Sequence, residues 1–515
     1  MSKRRYITTA IDYPNAAPHV GHVLEKVLAD VIARFWRLSG DDVRLQIGTD
    51  EHGIKIQQAA EKEGMTPKEL VDRNVLLFQD PYDRLQISAD LFIRTSDQKK
   101  HWPTVVALWK KLQDAGALEK RTYTGLYCSG CERFVTAKDL VDGKCPDHNI
   151  APTEVKEENW FFLLKKETAW LKKLLKDSYT IVPSSRAQEM LSLLDVGLED
   201  VSFSRPKSSL SWGIPVPGDK EQTMYVWCDA LTNYISGLDY FGLSKARHEA
   251  PGGGAEWWDD AEVTHVIGKD IARFHALIWP AMLKNAGVRT PDRLLIHGFL
   301  TSEGQKMSKS LGNVVVPQDV IEKYGVDPLR FYLSHEIPVG NDGDFSWKRF
   351  AELYDAKLRN QLGNLLNRVL VLLQKDGSAI DLKVTDDDVK NAAEGRMTYE
   401  RHMNVFEISH ALQFVFERVA CMNVFINERK PWEQSGAERM QTLSVLAESL
   451  RQISLMLLPF IPNTAQEIAR QLNVSYAKKM LDRDFVITDE IKEWGSQTTW
   501  KKVGEPKILF APVEK

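Results

Sequence analysis

Residues 5–38 read RYITTAIDYPNAAPHVGHVLEKVLADVIARFWRL, and the pattern of side chains changes along them. The first part, RYITTAI (5–11), is rich in β-branched residues, which favour a strand. From 23 to 38 the apolar residues recur at the spacing of an amphipathic helix. The segment therefore predicts a strand, a loop and a helix, with PHVGH (18–22) in the turn at the start of the helix.

Further apolar runs follow the same pattern, since each is succeeded by polar residues and a helical period. These predicted strands are VRLQIG (43–48), MYVWC (224–228), VTHVI (263–267) and RLLIH (293–297). Alternating strands and helices predict an α/β fold with a doubly wound, Rossmann-like parallel sheet, whose ligands bind at the carboxyl ends of the strands. From about residue 351 long amphipathic helical stretches follow one another without a strand, which predicts an all-α bundle.

The chain divides into five predicted regions. The sheet is split into a first half (1–116) and a second half (224–296), with an inserted domain (117–223) between them. Residues 297–350 carry a lysine-rich loop, and 351–515 form the helical bundle. A chain of 515 residues is long enough for several packed units.

Composition excludes several classes of protein. The formal net charge is -4, so the overall charge does not indicate a nucleic-acid partner. Apolar residues make up 43%, which excludes global disorder. Neither a secretory signal nor an apolar run of membrane-spanning length is present in the sequence, so we expect a cytoplasmic protein without a membrane partner.

The PHVGH turn combines features that suit a phosphate group. Unpaired backbone N–H groups and the helix dipole attract anions to a helix N-terminus, and Gly21 lets a nucleotide approach the backbone. His19 and His22 can donate hydrogen bonds to phosphate oxygens. Taken alone, so short a motif is more simply explained as two surface histidines near a helix cap.

The segment HGFLTSEGQKMSKSLGN (297–313) provides the second candidate. Lys306, Ser308 and Lys309 lie among glycines, and lysines suit a charge that develops on phosphates during a reaction. The simpler alternative is a solvated basic loop.

Four residues have the spacing of a zinc knuckle, C-x2-C-x13-C-x2-H. They are Cys128, Cys131, Cys145 and His148. Three thiolates and an imidazole favour tetrahedral zinc, and four protein ligands leave no open position, so we expect one structural ion per chain. The alternative is three reduced cysteines beside an unrelated histidine. Five cysteines in so long a chain do not form a disulfide scaffold.

Together these segments resemble a known family. PHVGH followed far downstream by KMSKS is similar to the paired signatures of class I aminoacyl-tRNA synthetases. TTAIDYPNAAPHVGH, GTDEHG, YVWCDALTNYISG, VIGKDIARFHALIWPAML and KMSKSLGN resemble, in order and spacing, the methionyl-tRNA synthetases, from about residue 5 to the end. The resemblance implies activation of methionine by ATP to methionyl-adenylate, then transfer to the terminal ribose of initiator and elongator tRNA(Met).

The resemblance also implies residue roles. His19, His22, Lys306 and Lys309 are the expected catalytic residues. The ATP site is expected to comprise His19, Gly21, His22, Gly268, Asp270, Lys306, Ser308 and Lys309. Mg²⁺ is expected to arrive with ATP, bridging its phosphates without a dedicated protein cage.

The methionine pocket implied by the resemblance is mostly apolar. Its expected residues are Ile11, Tyr13, Asp50, Trp227, Ala230, Tyr234, Ile271 and His275. A thioether suits aromatic and aliphatic walls with one soft polar contact, and a buried carboxylate such as Asp50 suits an α-ammonium. Core packing is the simpler explanation of Trp227 and Tyr234. Asp12 departs from the family, in which proline is common here, and we expect little consequence because its neighbour contacts substrate.

In the bundle, Asn364, Arg368 and Trp432 fall where the family reads the anticodon, which implies recognition of CAU. An amide can bind a base edge, a guanidinium a base or phosphate, and an indole can stack on an unpaired base. The bundle is followed by no further domain-sized segment, such as the dimerising β-barrel of some relatives, so we expect a monomer.

Other functions remain open at this point. The nearest rival is a class I synthetase for another apolar amino acid, and homocysteine is an expected competitor because one missing methyl group changes binding little. A non-catalytic RNA-binding protein on the same scaffold, or a zinc-dependent interaction module, would each leave the nucleotide motifs or the catalytic side chains unexplained.

Overall fold

A six-stranded parallel sheet organises the amino-terminal part of the molecule. The computed structural model describes residues 2–128, 133–135, 140–146, 149–244, 254–307, 312–375, 380–496, 499–500 and 503–513. In spatial order the strands of the sheet are Leu91–Arg94, Asp42–Thr49, Arg4–Thr9, Glu262–Gly268, Arg293–His297 and Thr180–Val182. Every neighbouring pair runs parallel.

The strand order reverses between Arg4–Thr9 and Glu262–Gly268. From the first strand the chain moves outward through Asp42–Thr49 to Leu91–Arg94. It then forms the opposite edge at Thr180–Val182, and Glu262–Gly268 and Arg293–His297 fill the positions between that edge and the first strand. Such a switch point leaves a crevice at the carboxyl ends of the two central strands, where ligands of doubly wound folds bind. The predicted fold class is confirmed.

The helix Val20–Leu38, which we call the motif helix, begins at the PHVGH turn and packs on the sheet. Other helices of this half are Ile54–Glu63, Pro67–Arg84, Trp102–Asp114, Val226–Leu231, Asn233–Ser236, Glu256–Asp259 and Trp279–Asn285. A π-helix, Phe274–Ile278, leads directly into Trp279–Asn285.

The predicted strand at 224–228 is wrong. Val226–Leu231 is a helix, and the strand ends before it, at Asp219–Met224. That strand pairs antiparallel with Ser204–Pro206 and Pro215–Val216, outside the parallel sheet. A short apolar run does not by itself distinguish a strand from a buried helix. Met224 and Cys228, at the two ends of this run, are both buried, so the run is apolar although most of it is helical.

Part of the predicted insertion (117–223) belongs to the central sheet. Thr180–Val182 pairs with Arg293–Leu295 at the sheet edge. The rest contains a four-stranded antiparallel sheet and two helices. The strands are Leu118–Cys128, Arg133–Val135, Thr153–Phe162 and Val201–Ser202, and the helices are Thr168–Asp177 and Ser184–Val196.

Helices dominate the remainder of the described chain. A small sheet of Leu300–Ser302, Gln305–Lys306 and Gly343–Phe345 comes first. The helices are Pro317–Tyr324, Val326–His335, Trp347–Leu353, Asn364–Lys375, Asp386–Asn404, Ile408–Arg429, Gly436–Leu457, Pro462–Gln471 and Asp489–Lys492, with a π-helical segment at Tyr354–Gly363. Ile380–Asp381 and Thr499–Trp500 form a two-stranded ladder.

The fully buried Arg330 joins the bundle to the motif helix. Its guanidinium lies 2.7 Å from the Asp30 carboxylate of that helix and donates to the carbonyls of Leu85, Pro459 and Phe460. The same core cluster of buried apolar side chains also runs from the motif helix into the bundle. The PHVGH turn and the bundle are therefore connected by continuous packing. Across the described residues, no helix has the length and hydropathy needed to span a membrane.

Candidate active site

The two motif segments meet at the start of the motif helix. The backbone N–H of Val20 donates to the carbonyl of Val315 at 3.0 Å. A methyl group added at Gly21 would lie 3.8 Å from Cε of Met307. Met307 and Val315, on either side of residues 308–311, therefore both lie beside the PHVGH turn. Ser308 and Lys309, between them, lie outside the described residues.

His19 and His22 are held by a reciprocal cap. Nδ1 of His19 accepts from the backbone N–H of Gly21, and Nδ1 of His22 accepts from that of His19, each at 3.1 Å. In a neutral imidazole an accepting Nδ1 places the proton on Nε2. Both rings therefore have a fixed tautomer, with Nε2–H as the remaining donor. A Cβ on Gly21 would approach the His19 ring to 2.8 Å, so glycine is needed beside it.

Both imidazoles are kept neutral by their surroundings. Burial, followed by the proximity of His22, lowers the pKa of His19 to about 3. Burial and the Lys26 ammonium lower the pKa of His22 to about 4. Near neutral pH each ring is thus a neutral hydrogen-bond donor, positioned by the backbone it caps.

The predicted nucleoside residues lie at the carboxyl end of a central strand. Gly268 ends Glu262–Gly268, and a Cβ added there would lie 2.8 Å from Asp270 Oδ1 and 3.7 Å from Cε1 of His297, so only glycine fits between these side chains without a shift. Burial raises the pKa of Asp270. Lys306 follows on the edge of the small sheet, with its Nζ 5.9 Å from the centre of the Phe299 ring.

Tyr234 and His275 meet in the predicted methionine pocket. The Tyr234 hydroxyl lies 2.6 Å from Nε2 of His275, whose Nδ1 lies 3.0 Å from the carbonyl of Ile271. Since a carbonyl can only accept, Nδ1 donates and Nε2 accepts from the tyrosine. Burial lowers the pKa of His275 to about 4, which is consistent with this neutral tautomer. The π-helix places the His275 ring there, as π-helical turns often do at functional sites.

Phe274, which sequence analysis missed, packs against an aromatic residue of the predicted methionine pocket. The Trp227 ring stacks on Phe274, with ring centres 3.8 Å apart and an interplanar angle of 11°. Trp227 also meets the edge of His275 at 6.3 Å. Ala230 is buried one turn beyond Trp227. The sequence feature that could have identified Phe274 was its position directly before His275, a predicted pocket residue.

Ile11, Tyr13 and Asp50 lie around one backbone bridge. Asp12 pairs with Thr49, and the Asp50 N–H donates to the Asp12 carbonyl at 2.8 Å. The Tyr13 hydroxyl donates to the carbonyl of His52 at 2.7 Å. Asp50 is buried, with 7% of its surface exposed.

A buried triad behind this bridge was also missed. The Asp229 carboxylate binds Nδ1 of His52 and Nε2 of His101, both at 2.6 Å. His101 additionally contacts the Ser236 hydroxyl at 2.7 Å. These residues are scattered over the sequence, so their spacing carries no signal. The triad fixes the segment after Asp50 against the helix that carries Trp227.

Two of the three predicted anticodon residues are in contact in the bundle. The Arg368 guanidinium lies 5.6 Å from the centre of the Trp432 ring and donates to Asn427 Oδ1 at 2.8 Å. Trp432 is 46% exposed. Asn364 is exposed one helical turn before Arg368. An exposed indole with a cation beside it suits a stacked, unpaired base.

The two described cysteines of the predicted knuckle lie in one buried cluster. Cys128 ends the strand Leu118–Cys128, and both it and Cys145 pack with Val135. Cys131 and His148 lie outside the described residues. Two buried thiols in one small cluster fit a shared thiolate-bound ion.

Comparison with known proteins supports the resemblance. A family model described as tRNA synthetases class I (M) matches residues 5–154 and 149–370. The methionine–tRNA ligase of Caldanaerobacter subterraneus subsp. tengcongensis is 41% identical over 529 residues, covering 100% of this chain and 80% of the relative. That of Brucella suis biovar 1 is 40% identical, covering 93% of this chain and 94% of the relative.

A solved structure is similar over nearly the whole chain. Mycobacterium tuberculosis methionyl-tRNA synthetase in complex with methionyl-adenylate superposes with a TM-score of 0.89 at 35% identity, covering 99% of this chain and 100% of that one. The fold, the positions of the motifs and the similarity to these proteins all indicate the same family. The chain therefore belongs to the class I methionyl-tRNA synthetases, which are methionine–tRNA ligases.

Proposed function

We propose that this chain joins methionine to tRNA(Met) in two steps at the crevice beside the motif helix. In the first, a methionine carboxylate oxygen bonds to the α-phosphorus of ATP, and pyrophosphate leaves. In the second, a terminal ribose hydroxyl of the tRNA attacks the acyl carbon of the adenylate, and AMP leaves. No side-chain nucleophile is required, so positioning and electrostatics dominate catalysis.

The convergence of the two motif segments carries the proposal. The backbone N–H of Val20 donates a hydrogen bond to the carbonyl of Val315, and Met307 lies beside Gly21. Both contacts are at the end of the motif helix that carries the two histidines. Their Nε2–H groups donate to the ATP phosphates, while Lys306 and Lys309 stabilise the charge that develops as pyrophosphate leaves. Mg²⁺ binds with ATP through the phosphates.

The remaining predicted residues recognise the substrates. Gly268 and Asp270 hold the nucleoside. Asp50 binds the methionine ammonium, while Trp227, Tyr234 and His275 surround the thioether with Ile11, Tyr13, Ala230 and Ile271. Asn364, Arg368 and Trp432 read the CAU anticodon of initiator and elongator tRNA. The region 297–350 supports the acceptor stem of the tRNA.

Cys128, Cys131, Cys145 and His148 would hold one zinc ion, which would brace the insertion. We further propose a cytoplasmic monomer; sedimentation velocity tests the oligomeric state.

The test is methionine-dependent exchange of pyrophosphate into ATP, surveyed over all amino acids and homocysteine. We expect methionine to give the highest kcat/KM. Faster exchange with another amino acid would indicate a different synthetase, and no exchange with any would indicate a non-catalytic RNA-binding protein.

Lys309→Ala tests the lysine-rich loop. It should slow exchange by about two orders of magnitude, by analogy with the loss of one preorganised donor. The exposed Lys390, on the helix Asp386–Asn404, provides the control: Lys390→Ala should leave exchange unchanged. Equal rates in the two variants would remove the role assigned to the loop.

A further inference from the structure

A cluster of buried charged side chains lies directly behind the PHVGH turn. Lys26 is on the second turn of the motif helix, and its side chain is 1% exposed. Its ammonium donates to Asp12 Oδ1 at 2.9 Å, to Glu25 Oε1 at 3.1 Å and to the carbonyl of Ala10 at 2.9 Å. Asp12 Oδ2 also lies 2.8 Å from the ammonium. Four oxygen atoms thus surround its three N–H donors, which leaves no donor for a ligand.

Asp12 attaches this ammonium to the methionine end of the site. Its Oδ2 accepts from the Tyr82 hydroxyl at 2.6 Å. Its backbone N–H donates to the Gly48 carbonyl at 2.9 Å, and its carbonyl accepts from Asp50 at 2.8 Å. Asp12 is therefore fixed on both its side chain and its backbone, one residue from Tyr13.

Glu25 attaches the same ammonium to the nucleotide end. Its Oε2 lies 3.1 Å from Nε2 of His297, the last residue of the strand Arg293–His297. The His297 ring in turn lies beside Gly268, since a Cβ added to that glycine would be 3.7 Å from Cε1 of His297. The Glu25 carboxylate thus lies between the Lys26 ammonium, which donates to it, and Nε2 of His297, whose Nδ1 faces the carbonyl of Gly298 at 2.8 Å.

Stability alone does not explain this arrangement. Removing one ammonium and two carboxylates from water is costly, and well-packed apolar side chains often replace buried ion pairs without loss of stability. What the charges add is direction, because each hydrogen bond fixes an atom that an apolar contact would leave free to shift. The two residues that Lys26 connects lie beside different subsites, Asp12 next to Tyr13 and Glu25 next to His297.

We propose that Lys26, anchored by Asp12, is a positioning residue that fixes Glu25 and His297 at the nucleoside end of the active site, in register with the methionine end. The inference rests on the proposed function. Lys26 touches no substrate, and it acts through Glu25. Its loss therefore weakens the binding of ATP far more than that of methionine.

The test compares Lys26→Met with a matched control, Arg451→Met. Arg451 is also fully buried and is paired with Glu448, but in the bundle helix Gly436–Leu457. In pyrophosphate exchange, Lys26→Met should raise the KM for ATP about tenfold or more, as expected when a charged group loses a buried partner. The KM for methionine should change less than about twofold. Arg451→Met should lower the melting temperature without changing either KM.

The double variant Asp12→Asn/Lys26→Met separates positioning from stability. It removes the unpaired Asp12 charge, so the melting temperature should recover relative to Lys26→Met. The KM for ATP should stay raised, because Glu25 still lacks its donor. This variant also provides the measurement if Lys26→Met does not fold.

Three results would overturn the inference: an unchanged KM for ATP, equal increases for ATP and methionine, or a normal KM for ATP in the double variant. In each of these cases the wild-type chain still exchanges pyrophosphate with methionine. Failure of the proposed function is distinguishable, because the wild-type chain itself would then be inactive with methionine.

Discussion

The backbone amide of His19 donates a hydrogen bond to Nδ1 of His22 at 3.1 Å, while the two rings lie with their centres 4.1 Å apart. Each histidine therefore uses Nδ1 to cap the helix and keeps Nε2–H for a ligand. One side chain performs a structural task and a catalytic task with different nitrogen atoms, and the two tasks are separable by substitution.

Replacing His22 with Gln or Asn should give opposite defects. Gln places an amide nitrogen near the position of Nε2, so His22→Gln should retain more exchange activity but lose the cap, at a cost of about 1 kcal/mol. Asn reaches only the position of Nδ1, so His22→Asn should keep the stability and lose about two orders of magnitude in kcat/KM for ATP. Thermal unfolding and pyrophosphate exchange measure the two effects. The same ranking of both variants in both assays would contradict the division of roles.

The buried histidines should make the fold sensitive to acid. The pKa values of His22 and His275 are about 4 in the folded chain, whereas an unfolded histidine titrates near 6.5. Between these values the unfolded state binds more protons, so the free energy of unfolding should fall as the pH drops from about 6.5 to about 4. Above pH 6.5 these two groups should contribute no pH dependence to the free energy of unfolding.

Ring resonances of histidines provide the direct measurement of this prediction. Signals assigned to His22 and His275, through their loss in His22→Gln and His275→Asn, should not shift between pH 8 and about pH 5.5. A titration midpoint near pH 6.5 for either ring would show that it is solvated and can become charged, contrary to the hydrogen bonds described for both.

Tyr234→Phe should impair methionine binding selectively. The substitution leaves Nε2 of His275 without its donor inside the pocket, so the KM for methionine should rise about tenfold while the KM for ATP stays close to wild type. Tyr399→Phe is the matched control, because Tyr399 is also buried and its hydroxyl donates to the carbonyl of Met456 in the bundle. A shift in both KM values would indicate a general distortion of the site.

Trp432→Ala should weaken tRNA charging and spare adenylate formation. A base stacked on an aromatic ring contributes about 1–3 kcal/mol, so kcat/KM for tRNA should fall by roughly one to two orders of magnitude. Met397→Ala, which truncates another exposed side chain of the bundle, should change neither assay. Loss of pyrophosphate exchange in Trp432→Ala would contradict separate sites for the two steps.

Zinc content should depend on the knuckle cysteines. The wild-type chain should contain about one zinc per chain, and Cys128→Ser and Cys145→Ser should each lower that content sharply. Cys228→Ser removes another buried thiol, on the helix Val226–Leu231, and should retain the metal. Metal analysis after purification in the presence of zinc makes the comparison. Equal zinc content in all four proteins would exclude the proposed ligands.

The sequence by itself determined the fold class, the order of the motifs and the elements that carry them. Periodicity located the motif helix and the central strands, because burial on one face leaves a repeat in the sequence. It failed at 224–228, where a short buried run has no distinguishing period, and at Thr180–Val182, which joins the central sheet through distant backbone pairing.

Only the tertiary structure decided how the motifs act together. From the sequence we expected Asp12, where the family commonly has proline, to have little consequence. In the structure its carboxylate accepts a hydrogen bond from the ammonium of Lys26, 14 residues away. It also brings Phe274 onto Trp227 and two histidines onto Asp229. Such contacts join side chains from separate elements, so they depend on packing directions that no local spacing encodes. The sequence determined which chemical groups are present, and the packing of the sheet and helices determined which of them touch.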